Sequence, residues 1–262
     1  VGSNLHDDAS WLALAIVLFV SIAFVLSGLI ALARRAENHT GVYLAAVGYL
    51  ALFSAFALSA NEWIFAIGFA LETLVWAPFA ALVLAYPTGV LQRRLERALP
   101  VLVGTTLPVA SILILLLDST PAPSRCNGCP ESPIVLTERP GLAGFIDVVS
   151  TVVGLGLIAA GLVLLVRRWR AASPALRRLL WPVLAAGSAT LLAIGTLVIV
   201  DEFYDDAADA LALVLVLCFV TVPVAFLVGI LRSRLARGSV SALVLRLQEG
   251  TELHEALSEA LR

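Results

Sequence analysis

The sequence predicts an all-α, polytopic integral membrane protein: a bundle of seven transmembrane helices followed by a short cytoplasmic amphipathic helix at the C-terminus. Of the 262 residues, 60% are apolar and only 14% are charged, whereas a soluble domain has about 25% charged residues. Apolar runs of about 18 residues or more, the length that a helix needs to cross a bilayer, recur along the chain. Arginine-rich and acidic connections alternate between these runs.

The apolar runs place the seven helices at about 11–33, 42–60, 63–86, 100–117, 146–166, 180–200 and 208–231. Because lipid offers the backbone no hydrogen bonds, each run must be helical. The first run is too long for the apolar part of a cleaved signal peptide, and Asp7 and Asp8 precede it. We therefore expect a retained first helix after an extracellular N-terminus, residues 1–10, and one long outer loop, residues 118–145.

The arginines predict the orientation. All 17 basic residues are arginines, and only Arg125 and Arg139 lie outside the connections after the first, third, fifth and seventh runs. Because basic connections stay in the cytoplasm, we expect a multi-pass protein of the cell membrane, with the N-terminus outside and the C-terminus cytoplasmic. The arginine clusters lie next to the helix ends, so contact with anionic lipid explains them and no nucleic-acid partner is expected. The absence of lysine excludes a lysine Schiff base.

Glu72 is the one ionisable residue that lies far from either end of a predicted helix, and Trp76 follows it by one turn. A carboxyl group at this depth should face the bundle interior. It is either a proton- or ligand-sensing group, with Trp76 beside it, or an acid hydrogen-bonded to a hydroxyl such as Thr105, Ser111 or Ser188. With no intramembrane His, no HExxH motif and no pair of deeply placed Asp residues, no catalytic residue is predicted.

Two cysteines, Cys126 and Cys129, lie in the predicted outer loop. The compartment is oxidising there, so a structural disulfide is the favoured interpretation. A redox-sensing thiol pair and a metal site are the alternatives, although two cysteines supply only half of a zinc site. Cys218, in the last helix, is interpreted as a packing residue.

An acidic segment follows the sixth predicted helix. Asp201, Glu202, Asp205 and Asp206 carry oxygen ligands of the kind that calcium and magnesium prefer. Their spacing does not match an EF-hand, so a solvated acidic surface is the favoured interpretation and no metal site is predicted.

The C-terminal segment, residues 232–262, predicts a cytoplasmic signalling helix. Apolar residues recur there at helical spacing: Leu243, Leu247, Leu253, Leu257 and Leu261. An amphipathic helix that leaves the membrane needs a partner, which would be a second protomer or a further domain. A helix that lies on the lipid surface is the alternative.

Three segments carry a resemblance to a known family. They are Tyr-Pro-Thr-Gly-Val-Leu at 86–91 with the basic cluster at 93–97, Cys-x-x-Cys-Pro-Glu-Ser-Pro-Ile at 126–134, and the exit at 231–240 with Leu-His-Glu-Ala-Leu at 253–257. In these segments the chain resembles the membrane region of actinobacterial two-component sensor histidine kinases of the NarL-partner type. Ser132 stands where Asn is common in that family.

The resemblance implies a sensor bundle, residues 11–231, that passes a helix rearrangement to a kinase core lying beyond these 262 residues. It implies a homodimer in membrane lipid, with a response regulator as a further partner. ATP and Mg²⁺ would be cofactors of that kinase core alone, and the full-length protein would be an ATP-dependent protein-histidine kinase. The alternative function is a small-molecule or ion transporter or channel subunit with Glu72 as its coupling group. A structural membrane partner without a ligand is the third.

Overall fold

The structure, a computed structural model, describes residues 3–34, 38–121, 130–201 and 211–228. These residues form nine helices: α1 (Ser3–Arg34), α2 (Thr40–Ala51), α3 (Phe53–Phe56), α4 (Glu62–Leu71), α5 (Trp76–Ala85), α6 (Arg94–Leu117), α7 (Pro140–Ala171), α8 (Pro174–Asp201) and α9 (Leu211–Val228). A 3₁₀ turn, Glu72–Val75, joins α4 to α5. The described part of the chain contains no strand, so the predicted all-α class is confirmed there.

Six helical segments within the described ranges are long and apolar enough to cross a membrane. They are Trp11–Arg34, Glu62–Ala85, Arg94–Leu117, Pro140–Ala171, Leu180–Val200 and Leu211–Val228. Lipid offers no hydrogen bonds to the backbone, and an α-helix forms all of its backbone hydrogen bonds within one segment. The chain is therefore a multi-pass helical membrane protein, as the sequence predicts.

The second predicted span, 42–60, is shorter in the structure than in the prediction. It consists of α2 and α3, which form an apolar helical stretch at Thr40–Phe56. At 1.5 Å per residue this stretch is about 26 Å long, slightly less than the hydrocarbon thickness of about 30 Å. Seven crossings therefore remain a prediction, while the described residues contain six helical segments long and apolar enough to cross a membrane.

Several helices begin earlier than predicted: α6 begins at Arg94 and α8 at Pro174, each about six residues before the predicted start. Helix α1 begins at Ser3 rather than at about residue 11, and α7 begins at Pro140 rather than at about residue 146. Helices continue past the apolar run that reveals them, and proline is favoured in the first helical turn because its missing amide hydrogen is not needed there. The outer loop is therefore residues 118–139, six residues shorter than predicted.

Helices α1 and α2 approach each other closely through small residues. A Cβ atom added to Gly28 would lie 2.6 Å from the backbone nitrogen of Ala45, and one added to Gly48 would lie 2.6 Å from the carbonyl oxygen of Ser21. Small residues let helix backbones come this near in lipid, where dispersion rather than the hydrophobic effect holds helices together. This interface fixes α1 against the rest of the bundle.

Helix α9 packs against α1 and α5 through one face. The ring of Phe219 lies 4.7 Å from the ring of Phe24 on α1 and 5.3 Å from that of Phe79 on α5, measured between centroids. Phe24 and Phe79 are both almost completely buried. Phe219 thus joins three helices that are far apart in sequence.

The described part of the outer loop folds back on α6. The Ser132 hydroxyl donates a hydrogen bond of 2.8 Å to the carbonyl of Leu115, and the Arg139 amide donates one of 2.8 Å to the carbonyl of Leu117. The last carbonyls of a helix have no partner within it, so these bonds satisfy the end of α6. Ile134 packs in the apolar cluster beneath them.

The opposite end of the bundle contains a tight turn after α5. The Tyr86–Pro87 peptide bond is cis, and Gly89 has a positive φ of 75°. The Gly89 amide donates a 2.8 Å hydrogen bond to the carbonyl of Ala85. The Asn38 side chain, from the α1–α2 connection, donates to the carbonyl of Pro87 at 3.2 Å. The turn is therefore held both to its own helix and to the neighbouring connection.

Candidate functional site

A cavity of about 500 Å³ lies inside the bundle. Its walls come from the α4–α5 segment and from α6, α7, α8 and α9, so five membrane-spanning segments enclose it. Its volume is in the range of pockets that hold small molecules in proteins, about 300 to 1,000 Å³. This cavity is the candidate functional site.

One end of the cavity is polar. It is lined by Glu72 from the 3₁₀ turn, Ser111 from α6, and Asp147, Ser150 and Thr151 from α7. Glu72 is half-buried, Ser111 is buried and Asp147 is exposed, so this end of the cavity is accessible from outside the bundle through Asp147. The Ser150 hydroxyl donates a 2.9 Å hydrogen bond to the carbonyl of Asp147, which satisfies the serine within its own helix.

Glu72 and Asp147 both lie nearer to the same end of the bundle. Glu72 lies about 15 Å along the α4–α5 segment from its start at Glu62, and Asp147 lies about 10 Å along α7 from its start at Pro140. Both starts are at the end of the bundle that carries the 118–139 loop. The polar end of the cavity thus lies below the helix ends, in the half of the bundle on the loop side.

Pro78 explains why the helix is interrupted at Glu72. Proline has no amide hydrogen, so the carbonyl of Leu74, four residues earlier, loses the partner that a continuous α-helix would give it. The backbone tightens here into the 3₁₀ turn Glu72–Val75. Short 3₁₀ stretches within a helix frequently accompany functional hinges. Thr73, in the same turn, also lines the cavity, and its buried hydroxyl has no hydrogen-bond partner among the described residues.

The rest of the cavity wall is apolar. Trp76 and Phe79 line it one and two turns beyond Glu72, and Leu84 and Leu165 line the end farthest from the carboxyl groups. No Lys, Arg or His is among the lining residues in the ranges that the structure describes. The cavity is therefore amphiphilic, with an acidic end and a long apolar remainder.

The structure brings the two predicted sensing residues together, because Glu72 and Trp76 line the same cavity. Of the three hydroxyls suggested as partners of Glu72, only Ser111 lines it as well. Thr105 is exposed, and its hydroxyl donates a 2.8 Å hydrogen bond to the carbonyl of Val101 in its own helix. Ser188 is not among the lining residues.

Asp147 is a second carboxyl group in the lining of the cavity, in addition to the predicted Glu72. The predicted span began at residue 146, which placed Asp147 at its edge, whereas α7 begins at Pro140 and places it about two turns inside. The sequence does contain a signal for this part of the site. Asp147, Thr151 and Gly154 follow each other at intervals of four and three residues, the spacing of one helix face.

Two sets of contacts connect the cavity wall to other parts of the bundle. Trp76 and Phe79 both contact Phe219 of α9, with ring centroids 5.6 and 5.3 Å apart. At the inner end, the Arg168 guanidinium of α7 donates a hydrogen bond to the carbonyl of Leu84 in the last turn of α5. A cation is favourable at this position because the C-terminus of a helix carries partial negative charge.

The other predicted sites lie outside the described residues. These are Cys126, Cys129, Glu202, Asp205 and Asp206, and the signalling-helix residues Leu243, Leu247, Leu253, Leu257 and Leu261. Asp201 is the last residue of α8. Within the described ranges, no group of three or more His, Cys, Asp or Glu side chains could hold a metal ion.

Comparisons with known proteins return no match of any of three kinds: no protein-family model, no curated protein and no solved structure.

Proposed function

We propose that the chain is the membrane sensor module of a two-component histidine kinase. In this proposal a stimulus occupies the cavity and shifts α5 and α9 together within the bundle. The segment after α9 then carries the change to a cytoplasmic kinase core. The observation that supports this proposal most directly is the contact between the cavity wall and α9, made by Trp76 and Phe79 on one side and Phe219 on the other.

The packing around Phe219 explains how occupancy would be transmitted. Phe219 is only 8% exposed, and its ring contacts three other aromatic rings, those of Phe24, Trp76 and Phe79. Closely packed interiors respond to a displaced side chain by shifting whole helices between discrete arrangements. A ligand that displaces Trp76 or Phe79 would therefore move α9 rather than a single ring.

A second contact between the same two helices lies nearer to the proposed cytoplasmic side. The ring of Tyr86, at the end of α5, lies 4.9 Å from that of Phe226 on α9, at an interplanar angle of 76°. Phe226 is almost completely buried. Helices α5 and α9 are thus joined at two levels, which favours their movement as one unit.

The sequence supports the remaining parts of the proposal. The arginine distribution favours a cytoplasmic C-terminus in the cell membrane, and the resemblance to sensor histidine kinases favours a homodimer with a response regulator as partner. The kinase core, with its ATP and Mg²⁺, would lie beyond Arg262. A stimulus can shift the packing only by the difference in its affinity for the two arrangements.

Autophosphorylation of the full-length gene product in lipid nanodiscs, with ATP and Mg²⁺, tests the proposal. We expect phosphate to be incorporated on a histidine beyond residue 262. Gly154→Leu, which places a side chain in the cavity, should change the rate, because a Cβ at Gly154 has only ordinary contact with Leu107 at 3.8 Å and the longer side chain extends into the open space.

Gly156→Leu is the matched control. Gly156 lies on the same helix but does not line the cavity, and a Cβ there meets nothing within 4 Å. Its rate should equal that of the wild-type protein. A reading frame that ends at Arg262 with no phosphoryl transfer, or equal effects of the two substitutions, would contradict the proposal.

Transport is the second candidate function, and the two carboxyl side chains within one cavity favour it. Ionisable groups at membrane depth are common in proton and ion pathways. In proteoliposomes, a transporter should show proton-coupled flux that Glu72→Gln abolishes and that Glu138→Gln, at an exposed loop position, leaves unchanged. Flux in the wild-type protein without kinase activity would replace the sensor proposal with this one.

A further inference from the structure

We infer that the cavity binds a lipophilic cation: a single-chain amphiphile with one positively charged head group and an apolar tail. This inference names the ligand class of the site used in the proposed function and rests on that proposal only for its signalling role. The binding itself follows from the charges, the length and the wall of the cavity.

The charge of the polar end selects the head group. Glu72 and Asp147 line this end, together with Ser111 and Thr151. No basic side chain is among the described lining residues, so among these residues an anionic head group would meet carboxyl and hydroxyl groups and no basic side chain. In surroundings of low dielectric constant, charges interact more strongly than in water, which increases the preference for a cation.

The aromatic wall adds to this preference. Trp76 lies one helical turn from Glu72, and both line the cavity. The face of an indole ring attracts cations through its quadrupole, and quaternary ammonium groups are recognised in this way. A trialkylammonium head group would therefore find carboxyl groups on one side and an aromatic ring on the next turn.

The apolar remainder selects the tail. From Glu72 to Leu84 the cavity extends along α5 for about 18 Å at the helical rise per residue. One leaflet of a bilayer has a hydrocarbon depth of about 15 Å. The apolar part therefore has the length of one acyl-type chain, and its walls include Phe79 and Leu165.

The position of Asp147 provides a route of entry. Asp147 is exposed on α7, a helix of which little is buried in the bundle. A cationic amphiphile concentrates at the membrane interface, with its head group near water and its tail in the hydrocarbon. Such a molecule could enter between the helices near Asp147 without leaving the bilayer.

Equilibrium binding of radiolabelled dodecyltrimethylammonium to the full chain in neutral-lipid nanodiscs tests the inference. We expect a saturable component above the linear partitioning into lipid. The double substitution Glu72→Gln with Asp147→Asn should weaken this component about tenfold or more, because it removes the charged partners of the head group. Gly154→Leu should weaken it because the tail loses space. Glu138→Gln and Gly156→Leu are the matched controls and should bind as the wild type does.

Competition identifies the ligand class and its source. Unlabelled dodecyltrimethylammonium should displace the label, dodecyl sulfate should not, and tetramethylammonium should fail because it lacks the tail. Efficient competition by dodecyl sulfate would overturn the preference for a cation. Competition by tetramethylammonium would show a water-soluble cation as the ligand and overturn the role of the tail. Absence of a saturable component would overturn the inference as a whole.

Failure of this inference is distinguishable from failure of the proposed function. Saturable cation binding in a protein that shows no phosphoryl transfer supports the ligand class and contradicts the sensor role. Phosphoryl transfer that depends on Gly154 but without saturable cation binding supports the sensor role and overturns the ligand class.

Discussion

Gly28→Ala tests the close approach of α1 and α2. A Cβ at residue 28 would lie 2.6 Å from the nitrogen of Ala45 and 2.8 Å from the carbonyl oxygen of Gly41, whereas ordinary contacts begin at 3.4 Å. Both neighbours are backbone atoms, so no side chain can rotate away. The two helices must separate locally by roughly 0.8 Å, the shortfall at the nearer contact.

The free energy of unfolding should fall by about 1 to 2 kcal/mol. Overfilling a packed interface costs about 1 to 3 kcal/mol, while replacing glycine by alanine within a helix returns up to about 1 kcal/mol. In lipid, separated helices also lose dispersion contacts for which no hydrophobic effect compensates. The loss should therefore exceed the gain in helix propensity.

Unfolding by sodium dodecyl sulfate in mixed micelles, followed by far-ultraviolet circular dichroism, measures this difference. Gly156→Ala is the matched control, because a Cβ there meets nothing within 4 Å. It should gain up to about 1 kcal/mol through helix propensity alone, so the two substitutions should change stability in opposite directions. A Gly28→Ala protein that unfolds at the same detergent fraction as the wild type, or at a higher one, would refute the packing of α1 on α2.

Three further substitutions should lower the free energy of unfolding in the same assay. Gly89→Ala should cost about 2 kcal/mol or more, because φ is 75° and a Cβ would overlap Asn38; a neutral effect would refute the turn geometry. Arg168→Gln should cost about 1 to 3 kcal/mol through loss of the charged hydrogen bond to Leu84. The exposed neighbour Arg167→Gln should change stability by less than about 0.5 kcal/mol, and equal losses would contradict the assignment. Phe219→Ala should cost about 2 to 4 kcal/mol because the ring is buried among three others. Leu217→Ala, 67% exposed on the same helix, should cost much less, and a similar cost would argue against the packing of Phe219 on α1 and α5.

The sequence predicts the spanning segments well because lipid imposes a single rule. Apolar length identified all six segments that the structure shows as long enough to cross a membrane. It did not identify where the helices begin, since α7 extends to Pro140 through residues that are not uniformly apolar. The break at Glu72–Val75 was not predicted either, although Pro78 supplies its cause.

One of the two carboxyl groups at the acidic end of the cavity, that of Glu72, was predictable from the sequence alone. Glu72 is conspicuous because it is a carboxyl group far from any charged neighbour in sequence. Asp147 was overlooked because the predicted helix began at about residue 146, six residues after the start of α7, although Asp147, Thr151 and Gly154 have the spacing of one helix face. The two carboxyl groups share one cavity because of how α5 packs against α6 and α7. The periodicity of a single sequence does not predict such packing.

A cryo-electron microscopy map of the full chain in nanodiscs, with a bound antibody fragment and dodecyltrimethylammonium, tests the shared cavity most directly. We expect density for the head group between Glu72 and Asp147, and density for the tail along Trp76 toward Leu84. A map in which the two carboxyl side chains face separate surroundings, or in which protein side chains fill the space between them, would contradict the account.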